Sequence, residues 1–262
     1  LLSTPTSAEL AGHPHTSLTF GDLMDFTLPA IGIIHSCFKE KFGIPRQPGL
    51  APLATAYLEL LEPYNDPDAL DGLEGCSHLW IQFVFHANSR RDWKPKVKPP
   101  RLGGNKSLGV FATRSPTRPA PIGLSVVKLD GIDLVAGKLC LQLSGIDLLD
   151  GTPVLDIKPY VPYVDCIPQA TNTFASAPPC FIPVEFSREM AEFCSDYQQK
   201  SGIDLLNLIG QILQQDPRPQ YQQPEPERIY GMKLLDLDVR WQYLPTTHGH
   251  RIWVNAIACS AH

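Results

Sequence analysis

From residue 31 to residue 161 the chain runs in short apolar stretches broken by Gly, Pro and Asp-Gly steps, a rhythm that predicts strands rather than long helices. Ile31, Ile33 and Ile34 mark a first strand, ATAYLELLEPY (54–64) a second, and the nearly continuous apolar run HLWIQFVFHA (78–87) a buried one. LGVFAT, GLSVVKL, GKLCLQLSGIDLL and PVLDIKPYV follow as further β-rich runs, with Asp130-Gly131 and Asp150-Gly151 as turn signals. Such spacing predicts an all-β sheet that curls or closes. After about residue 170 the pattern changes. NTFASAPPCFIP is rich in small residues and proline and reads as a linker over 171–185. Helices are then expected over 188–199 and 203–214, the second from Leu205, Leu208, Ile209, Ile212 and Leu213 at helical spacing, and Pro217 and Pro219 end it. IYGMKLLDLDVRWQYL and HRIWVNAIA alternate as two antiparallel strands. The expected organisation is a leader over 1–25, a β domain over 26–170 and a smaller α+β domain over 186–262.

Composition narrows the class. With 262 residues, 43% hydrophobic and 19% charged, the chain is long enough for one large or two modest cores and is not a disordered tail. No run nears the roughly 18 apolar residues of a spanning helix, so a soluble, cytoplasmic protein with no membrane association is expected. Seven cysteines without a Cys-x-x-Cys pair indicate neither a complete disulfide framework nor a structural zinc site. The net charge of −5 conceals a polarity: residues 90–118 carry +8, leaving −13 on the remainder. That segment suits a polyanion or, equally, a solvated loop.

Several familiar chemistries lack their signatures. Gly103-Gly104-Asn105-Lys106-Ser107 resembles the end of a phosphate-binding loop, but Asn105 replaces the glycine before the lysine and no glycine stands five residues ahead of it. A Gly-x-Gly-x-x-Gly, a Gly-x-Ser-x-Gly and a His-Glu-x-x-His are all missing. VFATRSPTRPAPIGLS (110–125) instead puts Arg114 and Arg118 in a proline-stiffened turn with Gly123 behind it, either a ligand loop or a rigid barrel corner. SGIDLLDGTPVLDIKPYVPYVD (144–165) gathers four carboxylates near one turn. These serve turn chemistry or a cationic ligand, and charge alone does not decide.

The ordered series IGIIHSCFKEKFGIPRQPGL, GLEGCSHLWIQFVFH, VKPPRLGG, GVFATRSPTRPAPIGLS and GIDLLDGTPVLDIKPYVPYVD resembles the TsaA domain of the TrmO branch of tRNA methyltransferases. QDPRPQY, RIYGMK and DLDVRW are similar to that family's carboxy-terminal domain, so the resemblance covers nearly everything after residue 30. Where the family pattern reads Arg-Pro-Asn-Pro-Ile-Gly, this chain has Ala120 and lacks one polar group.

The resemblance implies a mainly β protein: a single-sheet β-barrel that binds S-adenosylmethionine without a Rossmann fold, a smaller α+β carboxy-terminal domain, and a homodimer. It also implies methyl transfer to N6 of threonylcarbamoyladenosine at position 37 of threonine tRNAs. Carried over motif by motif, the cofactor residues are Pro48, Gly49, Leu50, His86, Ala87, Arg114, Leu124, Gly145, Ile146 and Asp147. Asp147, Asp156 and Tyr160 are candidates for the proton acceptor that this displacement calls for. For RNA, Lys94, Lys96, Lys98, Arg101 and Arg118 are candidate phosphate ligands on the anticodon stem-loop, and Trp93 and Tyr221 candidate stacking faces. Arg218 could contact the RNA or lock the domain interface, and the resemblance favours the RNA contact. Two rival classes are a noncatalytic tRNA-binding adaptor and a small-molecule methyltransferase on the same barrel.

Overall fold

The computed structural model describes residues 26–88, 93–99, 106–219, 222–225, 227–247 and 249–260. Arg101, Tyr221 and the whole of the expected leader over 1–25 lie outside them.

Six antiparallel strands close into a barrel: β1 (Gly32–Ser36), β2 (Thr55–Leu60), β3 (His78–Val84), β6 (Ile122–Val135), β7 (Lys138–Ser144) and β8 (Thr152–Pro159), in the order β1-β2-β7-β6-β3-β8. Period-two alternation drives it, with every second side chain turned inward. Ile34, Leu58, Leu79, Ile81, Val127, Leu141, Leu143 and Val154 fill the interior, all essentially without solvent contact. One mouth is closed by residues 145–151, the turn from β7 to β8. There Ile146 and Leu148 are buried as plugs, while the Asp150 and Gly151 amides donate to the Phe38 and Ile34 carbonyls at 2.9 and 2.8 Å.

The observed breaks differ from the expected ones in three places. Asp130-Gly131 is no turn: β6 runs through it with a register shift between Leu129 and Gly131, and the chain reverses at Ala136 and Gly137 instead. A bulge absorbs the irregularity without ending the strand. LGVFAT yields only the two-residue β5 (Leu108–Gly109), paired with β4 (Lys96–Val97), and then a tight helical turn over Val110–Ala112. IYGMKLLDLDVRWQYL is two strands rather than one, β10 (Tyr230–Leu234) and β11 (Leu237–Thr246), reversing at Leu235 and Asp236. Leu235 there adopts φ +56, a conformation that hydrophobic alternation does not reveal.

A short helix α1 (Pro162–Asp165) follows the barrel. The carboxy-terminal unit is a sheet ordered β10-β11-β12-β9, with β12 (Gly249–Cys259) antiparallel to β11 and parallel to β9 (Val184–Phe186), plus α2 (Arg188–Ser201) and α3 (Leu205–Leu213). Ser187 caps α2 by accepting from the Met190 amide, and Asp204 caps α3 by accepting from the Asn207 amide. The two units share one apolar core. The chain leaving β1 bridges Phe38 to Leu234, stacks Phe42 on Trp241 at 5.9 Å and returns to the barrel through residues 46–54. No helix among the described residues is long and apolar enough to cross a membrane.

Candidate active site

Three loops distant in sequence meet at the closed mouth of the barrel. The Gly49 amide donates to the Gly145 carbonyl at 2.7 Å, tying the Gln-Pro-Gly loop to the start of the 145–151 turn. Both glycines have positive φ (76 and 69), a left-handed conformation that residues with a Cβ rarely adopt, so glycine at both positions lets the two turns meet. Arg114 brings in the third loop, donating through Nη1 to Gln47 Oε1.

Beneath this junction Asp147 turns toward the barrel interior and accepts from the buried Ser125 hydroxyl at 2.6 Å. Burial pushes its carboxyl up to about 6, against the opposing pull of the Ser125 hydrogen bond, its own amide and the Arg114 guanidinium. A carboxylate titrating near neutrality beside a cation is a typical acid-base setting. Ser125 escaped sequence reasoning because one serine in an apolar strand carries no signal; only its inward register on β6 and the return of the 145–151 turn create the pair.

Two cavities flank the junction, and Pro116 lines both. The smaller, about 230 Å³, is walled by Ile44, Phe83, Phe85, His86, Ala87 and Leu149. Lys41 also lines it and donates to the Ala87 carbonyl. The larger, about 970 Å³, is lined by Leu50, Lys98, Phe111, Arg114 and Phe174 among others. Phe111 and Phe174 were not anticipated from the sequence.

The expected site residues thus separate into groups. Pro48 lies in the Gln-Pro-Gly loop beside Gly49. Gly49, Leu50, Arg114, Gly145 and Asp147 meet at or beside the junction, whereas His86 and Ala87 line the smaller cavity together with Leu149 of the 145–151 turn. Ile146 is a core plug. Leu124 is 50% exposed beside Ile122, one residue away from the inward Ser125 and therefore on the outer face of β6. Gly123 does not open the backbone to a ligand: the Phe83 ring fills that space, and a Cβ there would come within 2.2 Å of it.

Asp156 and Tyr160 do not join Asp147 within this chain. The register shift beside Gln82 turns Ile157 onto the core and leaves Asp156 half-exposed, bonded to the Ile157 amide at 2.9 Å and paired with Lys158 at 2.6 Å. The Tyr160 amide donates to the His78 carbonyl at the start of β3. The two ends of β3 are roughly 20 Å apart at the usual rise per residue, and His86 lies beyond the other end.

Among the expected RNA ligands, Lys96 sits on the β4–β5 hairpin, Lys94 precedes it, and Lys98 follows it onto the larger cavity. Trp93 is half-exposed and is not among the residues lining that cavity. Arg118 is committed elsewhere, its Nη1 donating to the Thr113 and Ser115 carbonyls at 3.0 and 3.5 Å and stapling its own loop. Arg218 is a lock rather than an exposed ligand. It is 11% exposed, pairs with Asp216 at 3.0 Å, donates to the Gln222 carbonyl and lies 4.8 Å over the Tyr243 ring.

Residues 33–166 match the family described as tRNA-methyltransferase O N-terminal domain, and 179–259 match the TrmO C-terminal domain. Over 220 residues the chain is 55% identical to a putative S-adenosylmethionine-dependent methyltransferase, RcsF, of Pseudomonas aeruginosa, covering 84% of this chain and 94% of that one. Over 222 residues it is 45% identical to the tRNA (adenine(37)-N6)-methyltransferase of Escherichia coli, again covering 84% and 94%. The crystal structure of TrmO from Pseudomonas aeruginosa superposes with a TM-score of 0.76 at 47% identity, over 90% of this chain and all of that one. The mainly β architecture, the loop junction and these likenesses agree, and the chain belongs to the tRNA-methyltransferase O family.

Proposed function

We propose that this protein is an S-adenosylmethionine-dependent tRNA methyltransferase that methylates N6 of threonylcarbamoyladenosine at position 37 of threonine tRNAs, in the cytoplasm and as a homodimer. The observation that carries this reading is the Gly49–Gly145 junction with Arg114 and Asp147 beside it. These residues fit the methyl donor. Asp147 supplies negative charge for a sulfonium and an ammonium, Arg114 a planar donor pair for a carboxylate, and the apolar pocket beside His86 and Ala87 room for an uncharged part. Gly49 and Gly145 offer a backbone surface free of side chains. When bound, the donor supplies an electrophilic methyl group.

The protein's part is to position and to shield. Gln47 orients the Arg114 guanidinium, and Ser125 orients the Asp147 carboxylate. Ile146 and Leu148 keep water from entering through the barrel. Of the three candidate bases, Asp147 is favoured, because ionisation near pH 6 leaves it ready at neutral pH to take the proton from the acceptor nitrogen. Lys98 lines the large cavity, Lys94 and Lys96 stand on the same exposed segment just before it, and the three suit the phosphates of an anticodon stem-loop. The half-exposed Ile122 and Leu124, two residues apart on the outer face of β6, support the homodimer, in which a second copy would cover them.

Mass spectrometry of nucleosides from threonine tRNA incubated with the protein and S-adenosylmethionine tests the reading. One added methyl on threonylcarbamoyladenosine is expected. No methylated nucleoside, or methylation at another base, would overturn it.

A further inference from the structure

We propose that Phe111 is a stacking platform for an unpaired nucleobase, and that the 970 Å³ cavity around it receives a single-stranded stretch of the RNA substrate, with the inter-domain segment as part of its lining. The inference rests on the reading of the protein as an RNA methyltransferase.

Phe111 is 76% exposed in a chain that fully buries Trp241, Tyr243 and Phe38. Its position is fixed from both sides. The preceding Val110 is buried and anchors the turn; its amide donates to the Pro95 carbonyl at 3.0 Å, joining the turn to the lysine-bearing hairpin. Thr113 closes the turn by donating to the Val110 carbonyl at 2.8 Å, one residue before Arg114. The exposed ring therefore stands on a braced support between the basic hairpin and the junction at Asp147.

The surroundings indicate what the ring receives. Arg46, Lys98 and Arg114 line the cavity, and no Asp or Glu is among its lining residues within the described part of the chain. Asn172, Phe174, Ala175, Ala177, Pro178 and Pro179 also line the cavity, so this stretch, which reads from its composition as a linker, is part of it. Phe174 carries the Lys106 ammonium 5.6 Å over its ring, adding a cation there. An apolar ligand would have no use for the cations, and a simple anion none for an exposed aromatic ring. A strand of nucleic acid uses both: phosphates meet the cations and a base meets the ring, and no sequence preference is needed because every base has a π-face.

The test titrates an anticodon stem-loop oligonucleotide, carrying 2-aminopurine in its loop, into the full-length wild type, Phe111→Ala, Phe111→Leu and Phe111→Trp. The wild type should quench the fluorophore. Phe111→Ala and Phe111→Leu should lose the quenching and bind roughly tenfold more weakly, as removal of one stacking partner does, and Phe111→Trp should retain both. Heparin, a polyanion without bases, should bind all four equally, and S-adenosylmethionine affinity and sedimentation should not change. Unaltered RNA affinity and quenching in Phe111→Ala overturn the proposal. So does an equal loss for heparin, a loss of donor affinity, or a changed oligomeric state, which would assign the ring to general charge binding, the donor pocket or a subunit contact. A wild type that transfers no methyl to tRNA defeats the functional reading itself, whereas wild-type transfer with unaltered Phe111 variants defeats only the stacking.

Discussion

The side-chain amide of Gln215, at the end of α3, donates to the Leu50 carbonyl at 3.0 Å, so the carboxy-terminal unit holds the loop that builds one side of the junction. The same amide donates to the Gln211 carbonyl at 2.8 Å, Gln211 Oε1 accepts from the Leu53 amide at 2.9 Å, and Arg46 donates to the Arg218 carbonyl at 3.0 Å. Gln215→Met keeps the length and removes the donors. Weaker S-adenosylmethionine binding by roughly fivefold in calorimetry is expected, as for one lost neutral hydrogen bond, with little change in Tm. Unchanged affinity would show that the loop holds its shape without the second unit.

Asp147 sets a pH dependence. Its folded carboxyl, pushed up to about 6, lies above the usual carboxylate value, so the folded state holds the proton more tightly than the unfolded chain. Its contribution to stability is therefore greatest in acid and is lost as pH rises from about 4 through about 6. Activity runs the other way, because the base must be ionised: kcat/KM should rise with pH through about 6. Asp147→Asn should abolish that limb. Ser125→Ala should move it to higher pH, since the Ser125 hydrogen bond holds the pKa down.

Gly123→Ala should destabilise the barrel by about 1–3 kcal/mol through overpacking, because the added methyl meets the buried Phe83 ring. Chemical denaturation measures it. A neutral outcome would mean that the ring shifts freely into neighbouring space.

Lys94, Lys96 and Lys98 should govern the salt dependence of RNA binding. Replacing all three with alanine should lower the slope of log affinity against log salt by roughly 2, at about 0.7–0.9 per phosphate contact. Arg218→Met should leave that slope alone and lower Tm, because Asp216 keeps a half-buried charge without its partner. Burial and the neighbouring Asp216 also hold the Tyr243 hydroxyl far above its ordinary range, so that hydroxyl remains a donor to Asp216, at 2.8 Å, across the working pH.

Local patterning carried much of this. Alternation in GIIHS, TAYLEL and HLWIQFV marked strands because one face of each is buried, and Leu205, Leu208, Ile209, Ile212 and Leu213 marked α3 for the same reason at helical period. Arg114, Asp147 and the Gln-Pro-Gly loop were legible as motifs. Leu235 and the Leu129/Gly131 bulge were not, since a positive φ at leucine and a register shift are imposed by the neighbouring strands. Nor was the inward placement of Ser125, or the exposure of Phe111 beside a buried Val110.

The sequence by itself determined which segments become strands or helices, where cationic side chains concentrate and which short motifs carry polar chemistry, because burial of one face acts on nearest neighbours along the chain. Only the tertiary structure decided which of those motifs share a site. Closing six strands into a barrel fixes which loops emerge at one mouth. That closure placed Asp147 over Ser125 and Gly49 against Gly145, sent Tyr160 to the far end of β3, and turned Arg118 and Arg218 inward to satisfy carbonyls and carboxylates that folding had removed from water.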